Sequence, residues 1–336
     1  MVKDDLGIYY DATKPSQLEK ILAEHGFSDD IQLEEKAEHA INLIRRFKIS
    51  KYNATTDLPD SDITDNEREK ILVIAQTAGD MSLEYGFGNQ FSTGQIIDAA
   101  IQENPGADVY LKIHPDVIAG KKKSDLDPKQ VPAGCRVISR HVNPISLLEK
   151  FDKVYTKTSQ MGFEAILLGK ECVCFGLPFY AGWGLTDDRV SCSRRKRKLT
   201  LNQIFAGAYI IYSRYYNPYL NKETDVIDTL YTIKKYRDIA IVNSSNLLVH
   251  GLAHWKRIHY RHFFKSYQRN SLTFCSSVDK IKALSKKKKV KLFIWGKSEK
   301  PDLAGNIDTT LIDTYSVENG LLQALALGAE RNKPYS

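Results

Sequence analysis

Lys153-Val-Tyr-Thr-Lys-Thr-Ser-Gln-Met-Gly-Phe-Glu-Ala-Ile-Leu-Leu-Gly-Lys-Glu-Cys-Val-Cys-Phe175 reads as a strand, a helix and a second strand in immediate succession. Lys153 to Tyr155 is rich in β-branched and aromatic residues, as a strand requires. Ser159 can cap a helix that runs through Leu168, and Gly169 ends it because glycine accepts the left-handed conformation of a helix terminus. Glu171 to Phe175 returns as the next strand. Two strands joined by a helix form a βαβ unit, and consecutive units build a parallel sheet.

The same alternation continues upstream. Ile71 to Ala75 is a short apolar run that reads as a buried strand, followed by a helix from Ser92 or Thr93 to about Glu103. Pro105-Gly106 stops that helix, and Val109 to Ile113 and Arg136 to Ser139 read as two further strands. Asn143-Pro144 supplies the cap and first position of a short helix to about Lys150. The expected class is α/β, a Rossmann-like parallel sheet. Ligands in such sheets bind at the carboxyl ends of the strands.

The flanks are less regular. Leu18 to Lys48 predicts helix, with an apolar stripe through Ile21, Leu22, Ile41, Leu43 and Ile44, and Leu199 to Tyr212 predicts another. The pattern restarts near Asp238 with a strand at Ile239 to Val242, a helical stretch, a lysine-rich break and a strand at Val290 to Trp295. The expected division is a helical lead-in and linker (1–70), a Rossmann-like domain (71–237) and part of a second α/β lobe (238–336).

Composition bounds the function. Hydrophobic residues make up 42% and charged residues 26%, the proportions of a globular chain with a real core. No apolar run reaches the length of a membrane-spanning helix, and Met1 to Asp11 has no apolar signal-peptide core. The five cysteines form no CxxC pair and read as reduced thiols of a cytoplasmic protein. The net charge of +7 gathers in Lys121 to Lys123, Arg194 to Lys198 and Lys286 to Lys289, each read as a solvated loop. Aromatic residues do not interleave with these runs as a base-stacking surface requires, which places a membrane surface or an anionic substrate ahead of nucleic acid.

Four constellations can carry chemistry. Gln76-Thr-Ala-Gly-Asp80-Met-Ser82 leaves the first strand, where Asp80 can serve as nucleophile, base or metal ligand, or simply cap the next turn. Lys112-Ile-His114-Pro115 leaves the second strand; a histidine there can donate to phosphate, and the proline stiffens its turn. Thr158-Ser159-Gln-Met-Gly162-Phe-Glu164 opens a helix whose hydroxyls and free N–H groups suit a phosphate. Gly162 permits close approach, and Glu164, one turn in, can accept from ribose hydroxyls; the alternative is a plain capped helix. Cys174-Phe-Gly-Leu-Pro178-Phe-Tyr180-Ala-Gly182-Trp183-Gly184-Leu-Thr186 is either a loop over a ligand or a packed turn. The first three lie on successive strand ends, and together they point to a nucleotide phosphate facing a carboxylate.

These motifs resemble the KpsC-type capsule polysaccharide β-Kdo transferases (Kdo is an eight-carbon keto-sugar acid). The resemblance runs from about residue 6 to 220 and rests on five segments. They are Gly7-Ile-Tyr-Tyr-Asp11, the Gln76…Asp80…Ser82 element, Lys112-Ile-His114-Pro115 with Thr158-Ser159-Gln-Met-Gly162-Phe-Glu164, and the specific Phe179-Tyr-Ala-Gly-Trp-Gly-Leu-Thr186 stretch. It implies a GT-B-like glycosyltransferase fold and retaining transfer of Kdo from CMP-β-Kdo to a Kdo linker on a phosphatidylglycerol-type lipid. It places the chain at the cytoplasmic face of the inner membrane, among capsule assembly and export proteins. It implies Asp80 as nucleophile, His114 and Ser159 on the CMP phosphate and Glu164 on the ribose, within a donor site also formed by Gln76, Ser82, Lys112, Pro115, Thr158 and Gly162. No cofactor or metal is implied.

The family has two tandem modules, each with a Glu-Asp-Gly-Phe-Leu-Arg-Ser segment ahead of its Gly-Ile-Tyr-Tyr-Asp segment. Here Gly-Ile-Tyr-Tyr-Asp stands first, and Val317-Glu318-Asn-Gly320-Leu321-Leu-Gln323-Ala324 stands last with its Phe and Arg-Ser replaced. This order reads as a chain running from the middle of one module to the middle of the next, with a separately encoded upstream lobe as an expected partner. Three other readings compete: a donor-binding remnant or split-gene subunit without catalysis of its own, a sugar-nucleotide epimerase on a similar fold, and, more distantly, a nucleic-acid-binding protein.

Overall fold

The computed structural model describes residues 1–53, 55–126, 131–244, 246–264, 271–286, 289–296 and 312–318. The chain divides into two compact units, Met1–Lys234 and Lys235–Ser336.

The first unit is built on six strands: β1 (Lys70–Ile74), β2 (Asp108–Lys112), β3 (Cys135–Ile138), β4 (Lys153–Thr156), β5 (Glu171–Cys174) and the two-residue β6 (Asp187–Asp188). Their order is β3-β2-β1-β4-β5-β6 and every pairing is parallel. The order reverses between β1 and β4, which is the topological switch point where doubly wound sheets bind ligands. The register is flush at the carboxyl edge. Ile74 pairs with both Lys112 and Thr156, and Lys112 pairs with Ile138. The residues two positions on, Gln76, His114, Thr158 and Arg140, therefore leave the sheet at one level.

Both faces of the sheet are covered, as parallel strands demand. Alternation sends Ile71, Val73, Val109, Leu111 and Tyr155 to one face, against Ile96, Ile97 and Ala100 of a helix (Thr93–Glu103). It sends Leu72, Ile74, Tyr110 and Val154 to the other, against Leu147, Leu148 and Phe151. The sequence-predicted caps stand where expected. Ser92 forms a reciprocal capping box with Gln95, and Asn143 accepts from the N–H groups of Ile145 and Ser146 ahead of the helix Pro144–Leu148.

Three flanking expectations are corrected. Leu18 to Lys48 is not one helix: Gln17–Glu24 and Ile31–Phe47 are separated by a single turn at Phe27–Asp29. Gly26 interrupts the first, and Asp30 caps the second by accepting from Leu33 N at 2.9 Å. Nor does the stretch 1–70 stand apart as a lead-in. Leu22, Phe27, Ala37, Ile41 and Ile44 share one core with Phe163, Trp183 and Phe205 inside the same compact unit. The helix of Leu199 to Tyr212 begins at Leu201 behind a Thr200 capping box and widens to a π-helix over Ala206–Ile211.

Ile239 to Val242 is not a strand but the last turn of a helix, Val226–Val242. Ile241 and Val242 are largely exposed there. Four apolar residues cannot by themselves distinguish a strand from a helix end. The second unit's first strand is Asn246–His250, with Leu247, Leu248 and Val249 fully buried. It lies between Ser271–Cys275 and Val290–Trp295, and Ile312–Val317 completes a four-stranded parallel sheet. Of the terminal segment, Val317 and Glu318 are described and 319–336 lie outside the described residues.

Within the cluster Arg194 to Lys198, Lys196 and Lys198 are exposed as a solvated loop requires, but the three arginines are not. Arg195 is buried and donates to Glu19 Oε2 at 3.0 Å and to the carbonyls of Pro178 and Ala181 at 2.6 and 2.8 Å. Arg194 donates to the other oxygen of Glu19. Arg197 donates to the carbonyl of His25 and lies over the Phe27 ring.

Candidate functional site

A cavity of about 540 Å³ opens at the carboxyl edge of the first unit's sheet. That volume suits a small organic ligand. Gln76, Asp80, Ser82, Lys112, His114, Thr158, Ser159 and Glu164 all line it.

The β1 and β4 loops are joined across the switch point. Gln76 Oε1 accepts from Thr158 N at 2.8 Å, and Gln76 Nε2 donates to Thr158 Oγ1 at 3.1 Å. Ser82 Oγ lies 2.9 Å from Thr158 Oγ1 and donates to Asp80 Oδ1 at 2.9 Å. Thr158 is itself fixed by packing: a Cβ on Gly86 or Gly176 would come within 2.8 or 2.7 Å of its methyl group. Asp80 caps a helix, Met81–Tyr85, by accepting from Ser82 N at 3.0 Å. The cap uses Oδ1; Oδ2 receives a long contact from Gln76 Nε2 at 3.4 Å. Asp80 is thus a cap and a cavity-lining carboxylate at once.

Ser159 caps the next helix, Gln160–Leu167, by accepting from Met161 N at 3.3 Å. Glu164 lies one turn in. It is 4% exposed, accepts from Lys51 N at 3.4 Å, and is pushed up to about 7 by burial. Gly162 does not face the cavity. A Cβ there would stand 2.1 Å from the Tyr180 hydroxyl, so its small size admits Tyr180, not a ligand.

On β2, Lys112 Nζ donates to the carbonyls of Ile113 and Arg140 at 3.1 and 2.9 Å, and burial lowers its pKa to about 8. His114 Nδ1 accepts from Asp116 N at 3.1 Å, which fixes the proton of the neutral ring on Nε2. Burial first, and then neighbouring Lys122, hold the His114 pKa below the usual histidine range. A neutral ring that presents one N–H suits a phosphate oxygen. Pro115 opens a one-turn helix, Pro115–Ile118, directly after it.

The aromatic stretch divides between both expectations. Pro178, Phe179 and Tyr180 line the cavity. Tyr180 donates to the Ser159 carbonyl at 2.5 Å. Trp183 is fully buried, with Nε1 donating to Phe179 O at 2.9 Å, so its half of the motif is a packed turn.

Tyr9, Tyr10, Arg140 and His141 are among the lining residues that the sequence does not single out. Tyr9 and Tyr10 belong to the Gly7-Ile-Tyr-Tyr-Asp11 segment. Arg140 and His141 follow β3, where the rule applied to the first, second and fourth strands would have found them. Among the described residues, no group of three or more His, Cys, Asp or Glu side chains is placed to hold a metal ion. No helix among them is long and apolar enough to cross a membrane.

A family model described as capsule polysaccharide biosynthesis protein matches residues 1–215. The chain is 36% identical over 347 residues to the capsule polysaccharide modification protein LipA of Neisseria meningitidis serogroup B (strain ATCC BAA-335 / MC58), an alignment covering 100% of this chain and 48% of LipA. It is 40% identical over 212 residues to the lipopolysaccharide-processing protein LpsZ of Rhizobium meliloti, covering 63% of this chain and 48% of LpsZ. The chain thus spans about half the length of the curated relatives it matches. Two solved structures of Thermosulfurimonas dismutans KpsC align with it. The β-Kdo 2,4 transferase is 46% identical with a TM-score of 0.65, over 69% of this chain and 72% of that one. The β-Kdo 2,7 transferase is 30% identical with a TM-score of 0.57, over 70% and 72%.

Proposed function

The chain belongs to the capsule polysaccharide biosynthesis protein family, and on that premise we propose that its first unit is the donor-binding part of a retaining glycosyltransferase that uses CMP-β-Kdo. The observation that carries the proposal is the switch-point cavity, where one carboxylate, Asp80, stands at the end of a hydrogen-bonded chain through Ser82, Thr158 and Gln76. His114 Nε2–H and the capped helix start at Ser159 hold the CMP phosphate, and Glu164 accepts from the ribose. Protein donors supply the charge neutralisation of that single phosphate.

Retention follows from two displacements at one carbon. An Asp80 carboxylate oxygen attacks the anomeric carbon, the bond from that carbon to the phosphate oxygen breaks, and CMP leaves with the electron pair. An acceptor hydroxyl then attacks the same carbon and gives its proton to solvent as the bond from that carbon to the Asp80 oxygen breaks and the carboxylate is restored. The acceptor in this proposal is a Kdo linker on a phosphatidylglycerol-type lipid at the inner membrane, with capsule assembly and export proteins as partners. The fold of the second unit, a parallel sheet, supports reading it as part of a lobe of a second module.

Incubation with CMP-Kdo and a lipid-linked Kdo acceptor, followed by peptide mass spectrometry, tests the assignment. Asp80→Asn keeps the shape and removes the charge, so it is expected to bind CMP normally and to lose nearly all transfer. A Kdo adduct is expected on the wild-type peptide that contains residue 80. Near-normal turnover by Asp80→Asn ends the nucleophile assignment.

A further inference from the structure

Charge divides unevenly between the two units. Lys235–Ser336 holds 18 Lys and Arg against 8 Asp and Glu, a net +10, while Met1–Lys234 holds 30 against 33, a net −3. The chain's whole positive excess therefore belongs to the second unit. Within it, the 40 residues from Ile239 to Val278 contain no Asp or Glu. In the middle of that stretch lies one helix, His254–Phe264, which carries Lys256, Arg257 and Arg261.

The helix packs on its sheet through Tyr260, whose ring meets Trp295 at 4.7 Å between centroids, and through Phe264, whose ring meets Phe293 at 5.2 Å. At about 100° per residue, Trp255, Ile258, His259, His262 and Phe263 occupy an arc of about 140° on the other side. A helix face turned to water is ordinarily polar. Here Trp255 is 47% exposed, Ile258 71% and Phe263 56%. Asn243, directly after the exposed Ile241 and Val242, donates to the Phe263 carbonyl at 2.6 Å, which sets two more apolar residues at that end of the helix. Cations flank the arc on both sides: Lys256, which lies over the Trp255 ring at 5.4 Å, and the exposed Arg261.

Scattered exposed apolar residues mean little, but several on one face with a cationic border mark an interaction surface. Two features decide what it meets. Trp and Phe bordered by Lys and Arg are the side chains that settle where lipid headgroups give way to acyl chains. A unit of net +10, with no carboxylate in the stretch around this helix, is drawn to an anionic surface. We propose that the helix His254–Phe264 is a membrane-docking surface, which lies flat on a bilayer of anionic phospholipid with Trp255, Ile258 and Phe263 in the headgroup region. The inference stands on the second unit alone, so its failure leaves the donor-site reading of the first unit untouched.

Co-sedimentation of the full chain with vesicles tests it, using an equal mixture of phosphatidylethanolamine and phosphatidylglycerol against phosphatidylcholine alone. Wild type is expected to bind the anionic vesicles at least about tenfold more tightly than the neutral ones, and to lose most of that preference at high salt. Ile258→Ser combined with Phe263→Ser, and Arg261→Glu separately, both at unchanged melting temperature, are each expected to weaken binding to anionic vesicles about tenfold. The emission of Trp255, isolated by comparing wild type with Trp255→Phe, is expected to shift to the blue on anionic vesicles. The proposal is overturned if neither kind of vesicle binds, if both bind alike, if either variant binds as wild type does, or if the Trp255 emission does not move. Light scattering adds one further outcome: a wild-type dimer that the same substitutions make monomeric gives the face to a second copy of the chain, which also overturns the proposal.

Discussion

Gln76 and Thr158 grip one another across the point where the strand order reverses. The carboxamide oxygen accepts from the Thr158 backbone N–H at 2.8 Å while the amide nitrogen donates to its hydroxyl at 3.1 Å. One side chain thereby fixes the spacing between the Asp80 loop and the helix start at Ser159. Gln76→Ala is expected to cost about 1–3 kcal/mol of stability, since it removes two hydrogen bonds and leaves the Thr158 N–H without its partner. It is also expected to weaken CMP binding. Denaturant unfolding and CMP titration check both, and unchanged CMP affinity would show that the clasp does not shape the site.

Gly162 is a packing glycine beneath the phosphate-facing helix start. Gly162→Ala drives a methyl group into the Tyr180 hydroxyl, which donates to the Ser159 carbonyl. The expected loss is about 1–3 kcal/mol from overpacking. A smaller CMP-induced rise in melting temperature is expected with it, because Ser159 loses its brace. Gly162→Ala combined with Tyr180→Phe is expected to recover part of the stability, since the clashing oxygen is gone.

Glu164 gives the fold a pH dependence of known sign. Its pKa rises from 4.5 in the unfolded chain to about 7 in the folded one through burial. Between those values the unfolded chain has released the proton and the folded chain keeps it, so stability falls as pH rises through that window. The stabilising contribution is whole below 4.5 and lost above about 7, on the order of 3 kcal/mol. Glu164→Gln removes this dependence. Its melting temperature is expected to match wild type near pH 4.5 and exceed it at pH 8. Parallel melting curves at all pH values would contradict the assignment.

Much of the sheet was legible because each strand is a short apolar run between strong punctuation, such as Pro105-Gly106 before β2 and Gly169 before β5. The strand-end rule then brought Gln76, His114 and Thr158 to one place, as the flush register explains. What the sequence hid depends on distant pairing. Nothing in Arg194 to Lys198 signals that Arg194 and Arg195 both meet Glu19 across some 175 residues of chain and brace the Pro178 to Ala181 turn. Ile239 to Val242 looked like a strand because four apolar residues carry no period, and the true strand at Asn246–His250 follows only a few residues later. In the sequence Gly162 reads as an approach for a ligand because sequence shows that a glycine is small, not which neighbour fills the space. Tyr180, eighteen positions on, fills it.

The central claim is that the cavity at the β1 and β4 strand ends binds the CMP moiety of a sugar nucleotide. Thermal unfolding of the full chain against rising CMP tests it most directly. A ligand that binds only the folded state stabilises it by about 2.7 kcal/mol at a hundredfold excess over its dissociation constant. The predicted result is a saturable rise in melting temperature, undiminished in Asp80→Asn and reduced in both Ser159→Ala and His114→Ala. A folded chain whose melting temperature does not move at millimolar CMP would contradict the account.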